Sequence, residues 1–163
     1  MTNERIFSCD LQVRWSDQDL NGHVNNARLI TLIEEVRLRA MVAWGLAPPG
    51  SSGPRVVRAL EVMFDREVHF GAPVLSRAWI TAIGRTSFTV RHELRQADEL
   101  CLRADAVIVN LDPQTGRPAG LEEPLRTVLD DHLISADESH PDSPGTRRTG
   151  SPDTPESRHT GKQ

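Results

Sequence analysis

A short polar segment near the N-terminus contains the residues best suited to chemistry. Asp19, Asn21 and His23 follow one another at two-residue spacing, so their side chains would point to one side of a locally extended chain. A carboxylate beside an amide and an imidazole can activate water or attack a carbonyl carbon. A helix predicted to begin just after the segment would offer free N–H groups to an oxyanion. Together these groups could form a hydrolytic site.

The same residue types also occur in this position for purely structural reasons. Asp, Asn and Gly are favoured in turns, and Asn is a common helix cap because its side chain accepts from the first N–H groups. From residue types and spacing alone, two alternatives therefore stay open. The segment is either a catalytic loop or a well-capped connection between a strand and a helix.

The elements on both sides of the segment can be predicted from periodicity. Apolar and polar residues alternate over residues 7–16, with Trp15 on the apolar side, which is typical of a half-buried strand. After the segment, apolar residues recur every three or four positions, as in an amphipathic helix. Asn25 or Asn26 suits its N-cap, and Gly45 lies where a glycine would end it.

Four more strands and a short helix are predicted beyond the long helix. The strand-like segments are residues 60–70, 74–83, 87–94 and 101–111, and residues 122–133 fit a short C-terminal helix. Because turn residues separate the four strands, we expect an antiparallel meander in sequence order. The order of elements indicates the α+β class, with the long helix packed on one face of the sheet. Free edge strands would allow pairing with a second copy of the chain.

Composition limits the domain organisation and the partners. The 163 residues suit one domain with a tail. Because the C-terminal part is rich in Pro, Ser and Thr, we predict a domain at residues 1–133 and a disordered tail at 134–163. A net charge of −4 argues against a nucleic-acid partner. The apolar runs are far shorter than the ~20 residues of a membrane span, so no membrane partner is expected.

The cysteines and histidines outside the polar segment indicate neither a disulfide framework nor a metal site. Cys9 and Cys101 lie far apart, and Cys9 falls on the apolar face of the first predicted strand. His69, His92 and His132 do not have metal-ligand spacing. Residues 1–5 are not followed by an apolar leader segment. We therefore expect a cytoplasmic protein without a metal or another cofactor.

The polar segment resembles a known family signature. The stretch Asp-x-Asp-x-x-Gly-His-Val-Asn-Asn at residues 17–26 opens a helix that carries Glu-Glu in its middle. It resembles the signature of hotdog-fold thioesterases, including the 4-hydroxybenzoyl-CoA thioesterase-like acyl-CoA thioesterases. It is also similar to plant acyl-ACP thioesterases, whose Asp-x-Asn-x-His triplet appears here as Asp19, Asn21 and His23. Gly-Arg-Thr-Ser-Phe at residues 84–88 resembles the family's turn into the next strand.

The resemblance, which covers roughly residues 5–130, implies a fold and an activity. The fold would be a hotdog, with an antiparallel sheet of about five strands wrapped around one long central helix. The chain would hydrolyse an acyl-CoA thioester to a free carboxylic acid and CoA. It would act as a homodimer or as a dimer of dimers. Each active site would lie between the loop and helix of one subunit and the strands of the other.

The resemblance also implies a role for individual residues. Asp19 would be the nucleophile or general base, and the start of the central helix would be the oxyanion hole. The implied catalytic residues are Asp19, Asn21, His23, Asn25, Asn26 and Glu35. The implied substrate and CoA contacts are Gly22, Val24, Arg85, Thr86 and Ser87, with Arg85 suited to a CoA phosphate.

Two alternative functions remain within this resemblance. The chain could hydrolyse acyl-ACP rather than acyl-CoA, or it could bind acyl thioesters without hydrolysing them. The chain has no Tyr and only four Phe, which favours an aliphatic acyl group over a stacked aromatic one. Product formation that depends on Asp19 would separate the enzymes from the binding protein.

Overall fold

The computed structural model describes residues 4–46 and 54–134 of the chain. The predicted tail from residue 135 onward and most of the predicted 46–55 loop lie outside these residues. The described elements are β1 (Phe7–Leu11), a 3-10 turn (Trp15–Asp17), α1 (Asn26–Ala43), β2 (Arg55–Phe64), β3 (Val74–Ile83), β4 (Ser87–Gln96), β5 (Glu99–Asn110) and α2 (Glu123–Asp131). The five strands form one antiparallel sheet in the order β1-β3-β4-β5-β2. The α+β class and the five-stranded antiparallel sheet are confirmed.

The expected four-strand meander is wrong for β2. Only β3, β4 and β5 follow one another as neighbours, and β2 pairs with β5 at the far edge of the sheet. In this pairing Leu60 lies opposite Ala106. The chain reaches β3 from β2 through a nine-residue connection, residues 65–73, instead of a tight hairpin. Strand alternation reports which face is buried but not which strand is the neighbour.

Both ends of α1 follow from local sequence. The side chain of Asn25 accepts a hydrogen bond from the Ala27 N–H at 2.9 Å and caps the helix. At the other end Gly45 has φ +75°, and its N–H donates to the Val42 carbonyl. Leu46 N–H donates to Met41, which completes a Schellman motif. The buried side of α1 packs over β1, β3 and β4, so it leaves the same face of β2 uncovered.

The first strand is shorter than its alternation predicts. It ends at Leu11, and Trp15 is 73% exposed instead of lying on the buried face. The Asp17 carboxylate accepts the Arg14 N–H at 2.8 Å, and the Asp17 N–H donates to the Arg14 carbonyl. These local bonds form a 3-10 turn and redirect the chain before Trp15 can continue the strand.

Ile134, the last residue that the structure describes, packs against the sheet. Ile134 is 4% exposed, and its N–H donates to the Ile80 carbonyl of β3 at 2.9 Å. Leu133 forms a parallel bridge with Ile80, so this segment covers the part of the β3 edge that β1 does not reach. Within the described ranges, neither helix is long and apolar enough to cross a membrane.

Candidate active site

The polar segment folds back on itself between β1 and α1. The Asp19 N–H donates to the His23 carbonyl at 2.9 Å, and the Gly22 N–H donates to the Asp19 carbonyl at 3.1 Å. Gly22 has φ +81°, a conformation that favours glycine. Gln18 and Val24 close the base of the loop through a β-bridge. The polar segment is therefore a closed loop rather than the locally extended strand that its two-residue spacing predicts.

The closed loop still brings the Asp19 carboxylate and the His23 ring together. One carboxylate oxygen of Asp19 accepts the Asn21 N–H at 2.8 Å. The other lies 3.8 Å from His23 Nδ1, and both side chains remain about one quarter accessible. The Asn21 side chain lies in the exposed part of the loop. The carboxylate is thus held on one side by its own loop and open on the other.

Glu67 joins this group from the connection between β2 and β3. Its carboxylate lies 3.8 Å from His23 Nε2 and 3.5 Å from His69 Nε2. The neighbouring Val68 carbonyl accepts the Val24 N–H at 2.7 Å and anchors the loop. Sequence reasoning missed Glu67, because its alternation with apolar residues is equally typical of a strand's solvent face.

The start of α1 provides one unengaged backbone donor. The Asn25 N–H is taken by the Asp17 carbonyl at 2.9 Å, and the Ala27 N–H is taken by the Asn25 side chain. The Arg28 N–H donates back to the Asn25 carbonyl. Within the described part of the chain, the Asn26 N–H has no acceptor. Of Asn25 and Asn26, which the resemblance implies as catalytic residues, Asn26 is therefore the one whose N–H is available to an oxyanion.

Two expected substrate contacts hold the loop in shape. Val24 is 1% exposed and packs in the core, so its side chain anchors the loop. Gly22 supplies the positive φ of the turn. Its exposed position leaves room beside it, since a Cβ added there would meet nothing within 4 Å.

The expected CoA-binding turn lies far from Asp19 within one chain. Arg85, Thr86 and Ser87 are at the hairpin that joins β3 to β4. The Asp19 loop lies at the opposite end of β3, near Val74, because β1 runs antiparallel to β3 and Leu11 pairs with Val74. The ten residues of β3 separate the two sites by about 30 Å. A single chain does not bring them together.

Glu35 also lies apart from the Asp19–His23 pair. It lines a cleft of about 450 Å³ between β1 and α1, together with Asp17, Arg28, Thr31 and Arg39. Its carboxylate is engaged by the Arg39 guanidinium. Neither Asp19 nor His23 lines this cleft. The two successive acids of the helix face different flanks, and periodicity alone does not say which flank faces the site.

The cysteines are unsuited to nucleophilic chemistry. Burial raises the pKa of the Cys9 thiol and of the Cys101 thiol, which keeps both protonated at neutral pH. No group of three His, Cys, Asp or Glu side chains within residues 4–46 and 54–134 is arranged to hold a metal ion.

Comparison with known proteins identifies the family. The model of the thioesterase-like superfamily matches residues 13–129, which is most of the chain. The chain belongs to the thioesterase-like superfamily. No curated protein is significantly similar to it.

Solved structures of thioesterases share the fold of this superfamily member. A predicted thioesterase from Bacillus stearothermophilus is 26% identical with a TM-score of 0.74, over 80% of this chain and 98% of that one. A thioesterase from Thermus thermophilus, complexed with coenzyme A and Zn, is 28% identical with a TM-score of 0.68, over 81% and 98%. A 4-hydroxybenzoyl-CoA thioesterase mutant in complex with 4-hydroxybenzoyl-CoA is 16% identical with a TM-score of 0.68, over 77% and 99%. The hotdog fold implied by the loop signature is confirmed.

Proposed function

We propose that this chain hydrolyses acyl-CoA thioesters to a carboxylic acid and CoA. One observation carries the proposal. The Asn21 N–H holds one oxygen of the Asp19 carboxylate, and the second oxygen lies free beside His23. The helix that follows this loop begins at Asn26, whose N–H has no acceptor among the described residues. This combination suits attack on a thioester carbonyl by Asp19, or by a water that Asp19 activates, with the Asn26 N–H stabilising the oxyanion. Asn21 and His23 would orient the carboxylate or the water.

CoA is the carrier that we propose, because a thioesterase of the same fold at 28% identity binds coenzyme A. The proposal needs no cofactor, since a carboxylate and a backbone donor suffice for thioester hydrolysis. Two alternatives are hydrolysis of acyl-ACP and binding of acyl thioesters without hydrolysis. Assays of thiol release separate them from acyl-CoA hydrolysis.

The proposed active unit is a dimer joined through β2. Within the described residues β2 and β1 are the edge strands, and β2 is twice as long. Large apolar side chains of β2 are between 36% and 52% exposed, namely Val56, Val57, Leu60, Met63 and Phe64. An exposed apolar edge strand of this length favours pairing with another copy, which would satisfy its free N–H and carbonyl groups.

Antiparallel pairing of two β2 strands would complete each site. Arg55 at the start of β2 pairs with Asn110, whose N–H donates to the Thr86 carbonyl. The start of β2 and the 84–87 turn are thus at one end of the sheet, whereas Phe64 and the Asp19 loop are at the other. A two-fold axis through β2 would set the partner subunit's Arg85 turn beside this chain's Asp19 loop. The exposed guanidinium of Arg85 suits a CoA phosphate there.

Thiol release from a panel of acyl-CoAs, acetyl to hexadecanoyl plus benzoyl, tests the proposal. Asp19→Asn should lower kcat about 10²–10⁴-fold because the base or nucleophile is lost. Asp17→Asn is the matched control, since an amide oxygen can still accept the Arg14 N–H. Saturable binding of acyl-CoA with no Asp19-dependent release would favour the binding protein instead.

Arg85→Ala separates the carriers in the same assay. The KM for acyl-CoA should rise while kcat is retained, because the phosphate contact does not touch the reacting carbonyl. Higher kcat/KM with acyl-ACP than with the same acyl group on CoA would favour the acyl-ACP alternative.

A further inference from the structure

Two ion pairs lie on opposite flanks of α1. Glu35 and Arg39 face β1, since both line the cleft beside that strand. Glu34 and Arg37 lie on the other flank, because one residue turns a helix by about 100°. The neighbourhood agrees with this assignment, since the charge of Arg37 helps to lower the pKa of the buried His92 in β4, whereas Glu35 and Arg39 line the cleft beside β1. The Glu34–Arg37 pair thus faces the part of the sheet that α1 leaves uncovered.

The Glu34–Arg37 pair is fixed more firmly than an ordinary helix-surface pair. Arg37 is only 6% exposed, and its Nη2 lies 3.2 Å from Oε1 of Glu34. The Glu34 side chain itself is 61% exposed. A buried guanidinium therefore holds an exposed carboxylate in one place on the flank.

The face of β2 that α1 leaves uncovered is apolar. Leu60, Val62 and Phe64 share one face of β2, because they lie opposite the core-facing Ala106, Ala104 and Leu102. Leu60 and Phe64 are 36% and 42% exposed there, and Leu38 on the same flank of α1 is 49% exposed. The strip between α1 and β2 can thus take a hydrocarbon chain once a partner subunit covers it.

The proposed function gives this strip an occupant. With the thioester at Asp19 and Asn26, the CoA part would leave toward the partner subunit's Arg85 at the end of the sheet. The acyl chain would run the other way, along the β2 side of α1. Glu34 is eight residues beyond Asn26, which is about 12 Å along the helix. An extended chain of about nine carbons covers that distance at roughly 1.3 Å per carbon.

We propose that the Glu34–Arg37 ion pair sets the longest acyl chain that the enzyme accepts, and that its substrates are short- and medium-chain acyl-CoAs. This inference rests on the proposed function. Methylene groups that pass the pair would strip water from the exposed Glu34 carboxylate, which is 61% accessible, without replacing the lost hydrogen bonds. Each methylene placed before the pair would add hydrophobic contact and strengthen binding. Each methylene beyond the pair would leave the binding free energy unchanged or weaken it.

The experiment measures kcat/KM for saturated acyl-CoAs from acetyl to hexadecanoyl. For the wild-type enzyme we expect a rise of up to about fourfold per methylene, a maximum near octanoyl to decanoyl, and a flat or falling profile beyond. In the double variant Glu34→Leu/Arg37→Met the maximum should move to dodecanoyl or longer. The matched control is Arg91→Met/Asp105→Leu, which removes a pair on the opposite face of the sheet and should leave the position of the maximum unchanged.

The outcomes separate this inference from the proposed function. A wild-type profile that keeps rising through hexadecanoyl overturns the inference and leaves the thioesterase proposal standing. An unchanged maximum in the folded double variant also overturns it. Thiol release that is absent for every chain length overturns both. If the double variant fails to fold, a wild-type profile that keeps rising through hexadecanoyl still overturns the inference.

Discussion

The Asn25 N–H donates to the Asp17 carbonyl at 2.9 Å and joins the two ends of the candidate loop. This bond occupies a donor that would otherwise point out of the helix start. The next donor, the Asn26 N–H, is then the first that a ligand can use. Because Asn26 is the first residue of α1, the role of its N–H can be tested without breaking the helix.

Asn26→Pro should remove the oxyanion donor while keeping the fold. Proline is favoured at the first helical position, where its missing N–H has no helical partner. Asn25 is already extended, with φ −60° and ψ 137°, as a residue before proline must be. We expect kcat to fall about 10²–10³-fold relative to Asn26→Ala, which keeps the N–H. Equal kcat in the two variants, with circular dichroism unchanged, would show that this donor takes no part.

Leu60→Lys should convert the proposed dimer into monomers and abolish most turnover. A charge in the middle of β2 would be buried without a partner if two β2 strands paired. Sedimentation velocity measures the mass, and thiol release measures the activity. Leu75→Lys is the control, because Leu75 is similarly exposed but lies on β3. A Leu60→Lys protein that stays dimeric would place the interface elsewhere.

The buried His92 should make the fold sensitive to acid. The pKa of His92 is lowered from 6.5 to about 3, mainly by burial and also by the charge of Arg37, while the charge of Asp105 opposes the shift. Below pH 6.5 His92 therefore binds a proton in the unfolded chain but not in the native state. The free energy of unfolding falls as the pH drops from 6.5 toward 3. The loss should reach about 3 kcal/mol at pH 4.

Urea unfolding at pH 7 and pH 4 measures this loss. His92→Leu should remove most of the pH dependence. Because neither ring nitrogen of His92 has a hydrogen-bond partner among residues 4–46 and 54–134, the substitution should not weaken the fold at pH 7 beyond a repacking cost. His69→Leu, at an exposed position, serves as the control. If the free energy of unfolding falls equally between pH 7 and pH 4 in wild type and in His92→Leu, groups other than His92 cause the effect.

Shortening the chain tests where the domain ends. A chain that stops after Ile134 should keep its stability and turnover, because residues 135–163 hold almost no hydrocarbon side chains. A chain that stops after His132 should lose about 2–5 kcal/mol of unfolding free energy, since the buried Ile134 side chain and its bond to Ile80 are removed. Thermal unfolding compares the two, and equal melting temperatures would contradict the boundary.

The sequence by itself determined the local features of this protein. Asn25 and Gly45 bound α1 because capping and a positive φ depend on a few neighbouring residues. Alternation located β3, β4 and β5, and the loop signature implied the hotdog fold because its residue types and spacing are unusual in combination. Each of these signals acts over one turn of helix or a few residues of strand, so it can be recognised before the chain is folded.

Only the tertiary structure decided how these parts meet. It placed β2 beside β5, closed the loop so that His23 faces Asp19 and Glu67, and set Glu34 and Glu35 on opposite flanks of α1. It also put the Arg85 turn at the opposite end of the sheet from Asp19. Strand partners, helix flanks and sheet ends depend on contacts between residues far apart in the chain. A periodicity of two or 3.6 residues says which side is buried, but it does not identify what buries it.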